Sequence, residues 1–143
     1  MFIVRKYQNK CLCITGFTFL IPFYRFLLIS SPSILEKILG IYCLSLFVST
    51  IFFWNNPVQN SLLHKIDAII AKSCFVYYVT YTFSYKTLAG TYLLSYVVCI
   101  SGMGTTFYYS NIASSKEWCS NEHIFYHGLL HFFALGLALH AYL

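Results

Sequence analysis

Five long apolar runs, separated by short polar breaks, occupy most of this 143-residue chain and leave it few folds to adopt. They cover about 11–30, 38–54, 61–83, 87–109 and 123–143. A helix crosses a bilayer with about 20 mainly apolar residues, in a range of roughly 17–25. Each run meets that length, the second narrowly. The sequence therefore predicts an all-α fold: a polytopic transmembrane helix bundle of about five spans, forming a single integral membrane domain over 1–143. The connecting loops are short, and the chain has neither a repeat of fixed period nor a low-complexity tract.

Charge agrees with hydropathy. Only 9% of residues are charged and 59% are hydrophobic, against about 25% charged in ordinary soluble domains. So few charges do not cover the surface of a water-soluble protein. Disorder is excluded too, because disordered chains are polar and poor in aromatics. The net charge of +5 carries no dense basic stripe and no recognition motif, so it does not predict a nucleic-acid partner.

Lys and Arg act instead as topology signals. With five spans, Arg5, Lys6, Lys10, Lys65, Lys72 and Lys116 fall on one side, and Lys37 and Lys86 on the other. The richer side is expected to be cytoplasmic, placing the N-terminus inside and Leu143 on the opposite side. Arg25 and Lys72 are expected to snorkel. Tyr7, Trp54, Tyr108, Tyr109, Trp118, Tyr126 and Tyr142 lie mostly near segment ends, as interfacial aromatic belts do. The first run also has the basic flank of a signal peptide. Arg25, the crowd of Phe17, Phe19, Phe23, Tyr24 and Phe26, and the poor cleavage pattern of Ser30–Ser33 favour a retained helix. Of six cysteines, Cys43, Cys74 and Cys99 lie inside apolar runs, where cysteine packs as a small core residue. Cys11-x-Cys13 is too short for a zinc knuckle, which leaves packing or lipidation for that pair.

Polar residues inside apolar runs are the pointers to chemistry. Four of the five histidines stand in the last run: His123, His127, His131 and His140. The expected topology brings Ser49, His64, Asp67, His123, His127 and His131 to one end of the bundle. Helical phase places His127, His131, Ala134 and Ala138 on one face, and His64, Asp67, Ala71, Cys74 and Tyr78 on another. Tyr42, Ser45 and Ser49 form a third stripe, and all three are expected to turn inward. His140, near the far end, is expected to be interfacial.

Histidines at i and i+4 on a helix can chelate one metal ion, and a zinc site needs three or four N, O or S ligands. His127 and His131 supply such a pair, and His64 is the candidate third ligand. Asp67 would then act as general base toward metal-bound water, with Ser49 donating a hydrogen bond to substrate or to that water. Structural hydrogen bonding between helices explains the same residues without metal. Haem needs matched histidines on two helices, a transporter needs broken helices, and a channel needs a filter or a charged ring. None of these patterns is clear here.

Ser49 (or Ser45), Asp67 and the His127-x-x-x-His131 pair together resemble the CREST superfamily of membrane hydrolases, which includes alkaline ceramidases and progestin and adiponectin receptor-type proteins. Those families carry a Ser in an early helix, an Asp in the next and a His-x-x-x-His pair in the last. The resemblance implies bound zinc and hydrolysis of amide or ester bonds in a lipid substrate. Members usually have more spans and a zinc-binding His one turn after the Ser. Phe53 holds that position here, so His64 would have to substitute. Two functions stay open from sequence: a reduced CREST-like zinc-dependent lipid hydrolase, or a non-catalytic structural, assembly or interaction subunit. Either would have the lipid bilayer as partner, and exposed helix faces would suit a homo- or hetero-oligomer.

Overall fold

The computed structural model describes residues 9–143, so Arg5, Lys6 and Tyr7 of the expected basic flank and aromatic belt lie outside the described residues. Among the described residues there are six α-helices and no strand: α1 Asn9–Gly16, α2 Leu20–Leu27, α3 Ile34–Asn55, α4 Leu62–Tyr85, α5 Gly90–Lys116 and α6 Asn121–His140. A 3-10 turn, Phe17–Phe19, joins α1 to α2. Pro22 accounts for it. A proline cannot donate to the carbonyl four residues back, and its ring crowds that carbonyl, so the path tightens at Thr18. Cys11, Cys13, Cys43, Cys74, Cys99 and Cys119 are all free thiols.

The five expected segments correspond to five helical rods, with α1 and α2 making the first. By length and apolarity two stretches qualify as membrane spans: Asn9–Leu27, mean hydropathy 1.3, and Ile34–Asn55, mean hydropathy 1.8. Helices α4, α5 and α6 are long enough, at 24, 27 and 20 residues. Their histidines, tyrosines, serines and threonines hold hydropathy down.

Local sequence sets the helix starts. At α3, Ser33 Oγ accepts from Glu36 N at 3.2 Å and Glu36 Oε2 accepts from Ser33 N at 2.8 Å, a reciprocal capping box. Helix α3 packs along α4, and α5 along α6, while α1 lies against α3 and α6. The α5–α6 seam is tight because each helix offers a glycine to the other. A Cβ on Gly102 would stand 2.5 Å from the Phe133 ring, and one on Gly136 would stand 2.5 Å from Cys99 Sγ. Small residues at a seam allow such close approach.

The inward face of α3 differs from expectation. Leu39, Cys43, Leu46, Thr50 and Phe53 are buried on it, while Ser45 and Ser49 stand to the side and line a groove against α4. Thr50 turns inward because α1 comes close: a Cβ on Gly16 would meet its methyl at 2.7 Å. Tyr78 of α4 ties this face together, donating to Leu39 O at 3.0 Å, with Cys43 Sγ 2.6 Å from its hydroxyl. The α3 C-terminus and the starts of α4 and α6 meet at one end of the bundle. There Phe53 stacks on His64 at 5.1 Å and Trp54 faces His123 at 5.9 Å.

Candidate functional site

That shared end is a plug of aromatic and imidazole rings built on two helix caps of the same design. Helix α4 is preceded by Asn60 and Ser61, and α6 by Cys119 and Ser120. Ser61 Oγ accepts from His64 N and Ser120 Oγ from His123 N, each at 3.2 Å, as N-cap serines do. The histidine then reaches back. His64 Nδ1 accepts from Asn60 N at 3.0 Å, and His123 Nδ1 from Cys119 N at 3.1 Å. Asn60 and Cys119 both take positive φ, 62° and 58°, which turns their N–H groups toward the following helix. Asparagine tolerates that conformation; for a cysteine it is strained.

Two tryptophans fill the space between the caps. Trp54 and Trp118 stack at 6.1 Å, with His123 packed 4.8 Å from Trp118 and His127 4.7 Å from Trp54. Trp118 Nε1 donates to Pro57 O at 3.4 Å. The buried Nε1 of Trp54 has no partner among the described residues. Burial pushes the Cys119 thiol, in the loop before α6, up to about 11.

The remaining α6 histidines bond to other helices. His131 Nδ1 lies 2.7 Å from Thr15 Oγ, whose own proton goes to Leu12 O at 3.0 Å. The ring is therefore the donor there, joining α6 to α1. His127 Nδ1 lies 3.3 Å from Ser110 Oγ of α5. His140 is buried. Its Nδ1 donates to Gly136 O at 2.7 Å and its Nε2 lies 2.7 Å from Ser95 Oγ. Ser49 and Asp67 form a separate pair: Ser49 Oγ donates to Asp67 Oδ1 at 2.8 Å across the α3–α4 seam.

The structure thus brings Ser49 to Asp67, and His127 to His131 at 5.1 Å between ring centres. His64 stands at the same end, against Phe53 and Trp118. Among the described residues no three His, Cys, Asp or Glu side chains are grouped to hold a metal ion. Tautomers give a reason. A neutral imidazole has one donor and one acceptor nitrogen, and a zinc ligand needs a free lone pair. In His64 and His123 the Nδ1 lone pair is spent on the cap, so Nε2 carries the proton. The residues present do not fit a three-ligand zinc site unless a cap bond breaks.

Sequence reading missed Trp54, Trp118, Thr15, Ser110 and Ser95 as partners of the histidines. A usable signal was present in the paired Ser61-x-x-His64 and Ser120-x-x-His123. No family model, characterised protein or solved structure matches the chain.

Proposed function

We propose that this chain is a non-catalytic multi-pass membrane protein, a structural, assembly or interaction subunit whose polar residues fasten its helices together. One observation carries the reading: every α6 histidine already has a hydrogen-bond partner in a neighbouring helix or cap. The distribution of polarity supports membrane placement. Asp67, Thr50, Thr82, Thr106 and Ser110 are buried, while Phe83, Ile69, Val76, Leu94 and Phe132 are exposed, Phe83 at 85%. Such an inversion suits hydrocarbon better than water. In this reading all five rods cross the bilayer, with the N-terminus cytoplasmic and Leu143 opposite. Alkaline carbonate extraction, with cysteine accessibility scanning of the loops, tests placement and sidedness.

The Ser49–Asp67 bond favours one second reading, the CREST-like lipid hydrolase, because it joins two of the side chains that the resemblance singles out. Elemental analysis of detergent-purified protein separates the two. The proposed function expects no stoichiometric zinc. Near-stoichiometric zinc that disappears in both His127→Ala and His131→Ala would overturn it in favour of the hydrolase.

A further inference from the structure

A carboxylate behind the groove between α3 and α4 is only half satisfied among the described residues. Leu44, Val48, Phe52, Leu63, Ile66 and Ile70 wall an open groove of about 360 Å3, with Ser49 in its lining. Asp67 follows Leu63 by four residues and precedes Ile70 by three, so it shares their side of α4. Its Oδ1 accepts from Ser49. Its Oδ2 has no hydrogen-bond partner among the described residues. An ionisable group at bilayer depth is costly unless it is paired.

The matching charge stands on the other side of the same helix. Lys72 is exposed and, at ten residues into α4, lies roughly 15 Å from the helix start. Five residues from Asp67, it is roughly 140° around the helix and 7.5 Å along it. That phase keeps it from its own Asp67. Helical side chains lean toward the N-terminus, which for Lys72 is the direction of Asp67. A lysine stem leaning that way spans most of the roughly 7.5 Å offset, so an exposed Lys72 can hold its ammonium toward the depth of Asp67 on the outward side.

We propose that copies of this chain associate side by side in the bilayer, with Lys72 of one copy entering the α3–α4 groove of the next and completing the Ser49–Asp67 pair. Copies in one membrane share an orientation, so the two charges meet at equal depth without any vertical shift. Donor and acceptor occupy different faces, so the contact is heterologous, and repetition closes a ring or extends a row. The inference rests on the membrane reading above and names the partner of the proposed interaction subunit.

Single-molecule photobleaching of the full chain in phosphatidylcholine bilayers tests it. Wild type should give spots of two or more copies, and K72Q and D67N alone should each give single copies. A mixture of K72Q and D67N should restore pairs and nothing larger, because each pair then holds one intact contact. Lys72 is exposed, so K72Q removes no buried packing and its result does not hinge on folding. Single-copy wild type, or a K72Q distribution equal to wild type, overturns the proposal. The latter with D67N single-copied would show that a group of the neighbouring copy other than Lys72 meets Asp67, and would overturn the proposal as well. Carbonate extraction on the same samples separates the two claims. Membrane-retained single copies sink the association alone, whereas extractable protein sinks the membrane reading as well.

Discussion

Deleting the imidazole of His123 should cost clearly more stability than deleting that of His64, although the two rings make the same bond. Each accepts a backbone N–H on Nδ1, at 3.1 Å from Cys119 and 3.0 Å from Asn60. Both rings also pack on Trp118, at 4.8 and 5.0 Å, but His123 is 2% exposed and His64 half-buried, so lost ring packing adds to the same difference. The burial of the bonded N–H differs too. Cys119 is 6% exposed, whereas Asn60 is exposed. Water replaces the ring at Asn60, leaving a net loss of about 0.5–1.5 kcal/mol for the bond. At Cys119 the N–H is orphaned, which costs about 1–3 kcal/mol, and it belongs to a residue already strained at positive φ. His123→Ala should therefore exceed His64→Ala by about 1–2 kcal/mol. His123→Asn, whose amide oxygen falls near the place of Nδ1, should recover part of the difference. Denaturant unfolding in detergent, followed by tryptophan fluorescence, reads all three. Equal losses for the two alanine variants would refute the cap argument. So would a zinc chelator lowering wild-type stability by as much as His123→Ala does.

Three further outcomes follow from particular contacts. Gly102→Ala should destabilise by about 1–3 kcal/mol, because a Cβ there meets three atoms of the Phe133 ring at 2.5–2.7 Å and the whole ring must shift. Gly136→Ala should cost less, since Cys99 Sγ can rotate away, and thermal melts of the pair check the order. The Ser33 N–H and hydroxyl both donate to the Glu36 carboxylate, at 2.8 and 2.9 Å. Losing those bonds in Glu36→Ala should destabilise α3 by about 0.5–1.5 kcal/mol. Melting midpoints should show that loss in Glu36→Ala and less of it in Glu36→Gln, whose amide oxygen still accepts from Ser33 N. The raised Cys119 thiol should resist alkylation at about pH 8, where a thiol needs to ionise to react, while exposed Cys11 labels. Mass spectrometry of labelled peptides before and after unfolding decides it.

Hydropathy located the helices but not their ends, for a physical reason. It marks where apolar side chains stop, whereas a helix stops where its backbone groups find other partners. The second apolar run begins at 38, yet the capping box starts α3 at Ile34. The fourth run ends at 109, but α5 continues to Lys116 because Ser110 and Ala113 remain buried. The expectation of three inward polar stripes held for the buried Asp67, Cys74 and Tyr78 of α4. For α3 it missed because phase alone cannot say which side a third helix will press on, and α1 pressed on Thr50. The burial of His140 was illegible for a similar reason: Ser95 lies 45 positions away and meets it only through the α5–α6 seam.

The histidines were legible as a group and obscure as individuals. Helical spacing places His127 beside His131, but spacing counts nitrogens rather than free lone pairs. A histidine three residues after an N-cap serine, following a residue at positive φ, has a backbone N–H aimed at its Nδ1. Accepting that N–H fixes the tautomer and removes the ring from metal chemistry while the helix stays capped. Two such motifs occur here, Ser61 to His64 and Ser120 to His123, and both serve α-helix starts at one end of the bundle. The same imidazole that looks like a ligand on a helical wheel is then part of the helix terminus. Metal binding and cap formation compete for one electron pair, so a zinc site using either ring would have to loosen the helix on which it is built.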